Sequence, residues 1–170
     1  MNQPSIEFIY PEVLSPQELD LKLSEGWFRM SDAMFTTHYY LRDGQLLSTV
    51  WLRMPTSASL SKGMRRLIRR IDRLFEVTIA PLVCTAEQED LYKKYLTVAH
   101  GERSDDIADV IGGSKGLEIF DNWMVEVRIP EGRPNAGKLI ALSIFDCGVL
   151  SMQSILAIYD PEYSEHSLGI

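Results

Sequence analysis

The densest chemistry in this 170-residue sequence is a run of cations. Lys62, Arg65, Arg66, Arg69, Arg70 and Arg73 lie close together, with Asp72 the one acid among them. The chain as a whole is acidic, with 24 Asp and Glu against 17 Lys and Arg and a net charge of −7. A positive segment on an acidic body points to one localised anionic partner rather than to general coating of a nucleic acid. Guanidinium forks pair bidentately with phosphate oxygens, so phosphate is the natural target. The plainer alternative is a solvated helix face neutralised by the many acids around it. No Ser-His-Asp or Cys-His signature of a covalent nucleophile is evident. Two cysteines, Cys84 and Cys147, make neither a four-ligand zinc site nor a disulfide framework. They read as small apolar residues in a reducing cytoplasm. His38 and His166 stand alone, so no metal is expected.

The elements that hold these residues follow from periodicity and punctuation. Met64, Leu67, Ile68, Ile71 and Phe75 recur at helical spacing, which puts the arginines on the opposite face of one helix. Ser15-Pro16-Gln17-Glu18 and Thr85-Ala86-Glu87-Gln88 are capping boxes. The first opens a short helix that stops at Gly26. The second opens a helix through Leu91, Tyr92, Tyr95 and Leu96 toward Gly101. Runs at about 34–41 and 46–54, joined by Arg42-Asp43-Gly44-Gln45, read as a hairpin. Residues 75–80 read as a strand ended by Pro81, and a short helix follows Ser104 up to Gly112-Gly113. From residue 122 the period becomes two, with Met124, Val125, Val127 and Ile129 in a strand. Residues 131–137 form a turn. Lys138 to Phe145 is nearly all apolar, as in a strand buried on both faces. A reversal at Cys147-Gly148 leads into a last strand, about 150–159, ended by Asp160-Pro161. A further helix start is expected between Ser164 and Ser167.

This pattern predicts an α+β domain in which an antiparallel meander is flanked by helices. One domain over 1–170 is expected, with a helix and hairpin in 1–56 and the core in 57–170. Apolar residues are 45% and charged residues 24%, ordinary for a soluble globular chain. No apolar run is long enough to span a membrane, and the first residues lack the pattern of a signal peptide. A cytoplasmic protein with no membrane partner is expected.

Several segments, taken in order, resemble the arginyl-tRNA–protein transferase family, including its bacterial leucyl-transferring members. Ser61-Lys62-Gly63-Met64-Arg65-Arg66-Leu67-Ile68-Arg69-Arg70 is similar to the family's S-R-S-Q-R-R-x-x-R-R segment. Leu91-Tyr92-Lys93-Lys94-Tyr95 with His100 resembles its L-Y-x-K-Y…H segment, and Glu126-Val127-Arg128 its E-[FY]-R strand. Asp146, Tyr159-Asp160-Pro161 and Ser167-Leu168-Gly169 resemble its D…Y-D-P and S-L-G elements. Gly26 and Arg29 echo an N-terminal G-x-R-R. The departures are the lack of the family's cysteine cluster between His38 and Leu52, and Gly63, Met64 and Ile71 in place of polar residues. Gln153 and Leu156 also stand where a serine and a tyrosine are common. The similarity ends at Gly169, beside Ile170. The sheet is therefore expected to lack the strand that splays from the meander's last strand, leaving that edge open or completed by a second copy in a homo-dimer.

The resemblance implies a GNAT-like fold and transfer of an amino acid from aminoacyl-tRNA to a protein's N-terminal amine, on proteins beginning with Asp or Glu in the N-degron pathway. No cofactor is implied. An aminoacyl ester is already activated, and an N-terminal amine has a pKa of about 7.7–8.0, so positioning, a proton acceptor and oxyanion donors suffice. In this reading Lys62, Arg65, Arg66, Arg69 and Arg70 hold tRNA. Asp146, Glu126, Tyr159 and Asp160 are candidate catalytic residues. Tyr92, Tyr95, His100 and Arg128 are candidate substrate contacts. Each has a structural alternative: tyrosines packed on the sheet, an ion pair between Glu126 and Arg128, and turns at Asp146 and at Asp160-Pro161. Two rival functions are a non-catalytic tRNA- or protein-binding module and an acyl-CoA N-acetyltransferase. The second lacks the glycine-rich pyrophosphate loop after the meander.

Overall fold

Among the described residues, every α-helix but the one that starts at Gly113 begins where a side chain accepts from a free backbone N–H. In the computed structural model, which describes residues 6–42, 44–55, 57–101 and 103–169, Ser15 and Glu18 close a full capping box over α1 (Pro16–Ser24). Ser61 caps α2 (Lys62–Leu74), and Thr85 with Gln88 boxes α3 (Ala86–Leu96). Asp106 caps α4 (Ile107–Ile111), which Gly112 separates from α5 (Gly113–Ile119). Gly112 has φ +75° and lies against the backbone of Ser31 and Asp32, so neither the conformation nor the space admits a side chain.

The main sheet has the order β6-β7-β8-β9, all antiparallel. Its strands are β6 (Glu76–Pro81), β7 (Asn122–Arg128), β8 (Leu139–Cys147) and β9 (Met152–Tyr159). The expected three-strand meander is therefore extended by the strand after α2. Side chains alternate across it. One face carries Met124, Leu142, Ile144, Leu156 and Ile158 against Leu91, Tyr92, Ile107 and Ile111 of α3 and α4. On the other, Val127 and Ile140 meet Phe75, with Ile71 and Leu74 of α2 alongside. β8 is buried along most of its length, as its apolar run predicts.

The N-terminal part differs from the sequence reading. The expected strand over 34–41 is cut at His38 into β3 (Ala33–Thr37) and β4 (Tyr39–Arg42). Thr37 Oγ1 donates to the Tyr39 carbonyl and accepts the Tyr39 N–H, a local turn that ends the ladder. β3 then pairs with β1 (Ile6–Ile9) and β2 (Phe28–Met30) in a second sheet. Among the described residues β4 pairs with β5 (Gln45–Ser48) alone. The partner run ends at Ser48 rather than at 54, and Asp43 of the expected turn lies outside the described residues. At the other end, no helix starts at Ser164. A 3₁₀ helix over Pro161–His166 begins on the Asp160 side chain and ends at Ser167, whose φ is +59°. Cys84 is exposed rather than packed. Among the described residues no helix is long and apolar enough to cross a membrane.

Candidate functional site

α2 presents its cations outward and its apolar stripe inward, but no residue of this helix is fully buried. The arginines are braced by neutral backbone oxygens. Arg65 Nη1 donates to the Leu60 carbonyl at 2.7 Å, Arg69 Nε to that of Arg65 at 3.1 Å, and Arg70 Nη2 to that of His166 at 3.0 Å. Among the described residues none of Lys62, Arg65, Arg66, Arg69, Arg70 and Arg73 forms an ion pair. On an acidic chain this is a choice of placement, because neutralising partners abound in the sequence. The side chains of Lys62, Arg66, Arg69, Arg70 and Arg73 enclose a hollow of about 480 Å³. On the inner side of the helix, Met64, Ile68 and Ile71 face Val77, Val127 and Leu168 across a groove of about 190 Å³. The cationic ridge thus borders the sheet.

The other candidate residues form three further clusters. Glu126 is buried on β7; its Oε1 accepts from Gln88 Nε2 at 2.9 Å and its Oε2 from Arg128 Nε at 2.9 Å. Arg128 Nη1 reaches Glu87 at 2.8 Å and the Gly137 carbonyl at 2.8 Å. Burial would lower the Arg128 pKa, but Glu126 and Glu87 outweigh it and hold the guanidinium charged. These two residues satisfy one another.

Asp160 closes β9 and is 1% exposed. Its Oδ1 accepts the Glu162 N–H, and its Oδ2 lies 2.9 Å from Lys138 Nζ and 3.4 Å from Lys94 Nζ. Burial pushes this carboxyl up, but the Lys138 bond, the Glu162 N–H and Lys94 together bring it below its usual range. Beside it the rings of Tyr159 and Tyr95 meet edge to face at 5.6 Å. Tyr92 is almost wholly buried and donates to the Ser104 carbonyl at 2.9 Å, and burial raises its pKa. His100 is exposed beyond the end of α3.

Asp146 is fully buried on β8 and bonds Arg29 at 2.7 Å. The Arg29 guanidinium is equally inaccessible. It donates to Asn122 Oδ1 at 2.6 Å, to the carbonyls of Ser31 and Ile111, and lies over the Phe120 ring at 4.1 Å. Gly116 makes room for it: a side chain there would collide with Arg29. Burial pushes Asp146 up to about 6, against the pull of Arg29, and its Oδ2 has no hydrogen-bond partner. The pair joins β2 of the small sheet to β8 of the main sheet. In the sequence Asp146 stands out through its D…Y-D-P spacing, and Arg29 only through its echo of G-x-R-R. The signal was a lone arginine in an apolar strand, without its partner 117 residues away.

The structure therefore brings Glu126 to Arg128, and Tyr95 and Tyr159 to Asp160. It keeps the α2 ridge, the Glu126 network, the Asp160 cluster and Asp146 as separate groups on one sheet.

An α+β protein with a cationic helix at a four-stranded antiparallel sheet is the class these observations define. Residues 87–170 match the model of the family described as arginine-tRNA-protein transferase, C terminus. Through this region the chain is similar to the arginyl-tRNA–protein transferase family. The matched region runs from α3 to the C-terminal 3₁₀ helix and includes Tyr92, Tyr95, His100, Glu126, Arg128, Asp146, Tyr159 and Asp160. α2 precedes it, so the ridge is read from its own geometry.

Proposed function

We propose that this chain moves an aminoacyl group from aminoacyl-tRNA to the N-terminal amine of a protein, in the cytoplasm, with the α2 ridge holding tRNA phosphates. The observation that carries the tRNA part is the set of six cations with no acid partner among the described residues. The family match supports the transfer part. In the reaction the neutral amine nitrogen attacks the ester carbonyl carbon. A C–N bond forms, the bond from that carbon to the ribose oxygen breaks, and the proton lost by nitrogen ends on the departing oxygen. The ester is activated and a sizeable share of such amines is neutral near pH 7, so placement does most of the catalytic work.

Within this reading the carboxylates Glu126, Asp146 and Asp160 position rather than attack. Each is buried and holds a cation: Arg128, Arg29, and the Lys94–Lys138 pair, respectively. Tyr95, Tyr159 and the two lysines offer the aromatic and cationic surface on which a terminal nucleotide and a developing oxyanion can rest. The GNAT-like fold and the N-degron role, with acceptors beginning in Asp or Glu, are part of the same proposal.

The test is to incubate the protein with leucyl- or arginyl-tRNA and a peptide beginning with Asp or Glu, then weigh the peptide. A gain of one aminoacyl residue is expected. No gain, with tRNA still bound, removes the transfer and leaves a binding module.

A further inference from the structure

Among the described residues β4 and β5 form a two-stranded sheet of their own. A lone hairpin is at best marginally stable in water and needs a further layer against one face. The register fixes what that face carries. Tyr39 opposes Ser48 and Leu41 opposes Leu46, so these four side chains lie on one side of the hairpin. The alternation runs on past the end of β5. Leu46, Ser48, Val50 and Leu52 are exposed, with Leu47, Thr49 and Trp51 half-buried between them. Trp51 pins this run to the small sheet: its ring stacks on Phe28 at 3.9 Å and meets Phe35 edge-on at 5.6 Å. With Trp51 held inward, Val50 and Leu52 are turned outward. Tyr39, Leu41, Leu46, Val50, Leu52 and Met54 are between 47% and 86% exposed.

At the ordinary size of these side chains, the six expose on the order of 800 Å², which is what each partner of a standard interface buries. A monomer rarely leaves so large an apolar patch in water. None of the six is charged, so the face laid against its own copy opposes no like charges. We propose that two copies of this chain associate through this face, hairpin on hairpin, about a two-fold axis. Such a contact buries the same patch on both partners. Sheets stacked face to face let the side chains of the two inner faces interdigitate. A membrane is the poorer occupant, because Arg42 and Arg53 are the only lysines or arginines between residues 38 and 54, short of the basic cluster that anionic headgroups select. The contact lies on a different sheet from the β9 edge, where the sequence suggested a homo-dimer. It uses no residue of the α2 ridge or of the Glu126, Asp160 and Asp146 groups, so it stands apart from the tRNA reading.

The test is sedimentation velocity of the full chain over a dilution series reaching about 100 μM, above the micromolar end of affinities for interfaces of this size. A reversible monomer–dimer equilibrium is expected. Leu41→Lys and Leu52→Lys should each raise the dissociation constant at least about thirtyfold, the effect of losing a central interface residue. Both leucines are exposed in a single copy, so the urea midpoint of each variant at high dilution should stay where it is, which separates a lost contact from a lost fold. Met152→Lys, an exposed change on β9, should leave the dimer intact. A monomer at every concentration, a dimer that both leucine variants leave unchanged, or a dimer lost in Met152→Lys alone would overturn the inference.

Discussion

Arg29 and the arginines of α2 are the same side chain in opposite circumstances. Arg29 is inaccessible, and its nitrogens are taken up by Asp146, Asn122 and two backbone carbonyls. Arg65, Arg66, Arg69 and Arg73 are exposed and, among the described residues, meet no acid. A guanidinium whose donors are consumed inside the fold fixes that fold. One braced only by neutral carbonyls keeps its charge for an outside anion. The packing agrees: Arg29 sits among fully buried residues, whereas α2 contributes none.

The sharpest way to break this contrast is to remove Arg29. Arg29→Met leaves Asp146 buried without its cation and should cost about 3–5 kcal/mol, read as a fall in the denaturation midpoint. A cost below about 1 kcal/mol would place Arg29 with the surface arginines.

Asp146 offers the next test, through pH. Its carboxyl is raised to about 6 in the fold against about 3.9 in an unfolded chain. The folded state therefore binds the extra proton between those values, and this residue's contribution to stability falls as pH rises from about 4 to about 6. At about 1.4 kcal/mol per unit, the loss should be about 2–3 kcal/mol. Asp146→Asn should be less stable overall but should lack this slope in denaturant titrations at pH 4, 5 and 6. A smaller effect is expected at the α3 cap, where Thr85→Ala should cost about 1 kcal/mol by urea melting. On α2 the double change Arg66→Gln, Arg69→Gln should move stability by no more than about 0.5 kcal/mol.

What could be read from the sequence was local. The capping boxes at Ser15 and Thr85 carry their helices because both partners lie three residues apart. The amphipathic stripe of α2 and the apolar run of β8 are likewise written in consecutive residues. The breaks were harder. The turn at Thr37 depends on a hydroxyl choosing its own backbone over the ladder, and the 3₁₀ helix after β9 depends on Asp160 capping it. Of the candidate site, the ridge was legible as charge density, but its lack of acid partners was not, because that depends on where every acid lands. Asp146 was legible as a residue and illegible as a partner of Arg29, since nothing in either segment points across 117 residues.

The central claim is that the α2 cations await tRNA phosphates, and the salt dependence of tRNA binding measures this directly. Each phosphate contact adds nearly one unit to the slope of log affinity against log salt. The account predicts that Arg66→Gln with Arg69→Gln lowers the affinity for charged tRNA and reduces that slope by roughly two. An unchanged slope, in a variant that still folds, would show that these arginines hold no phosphate.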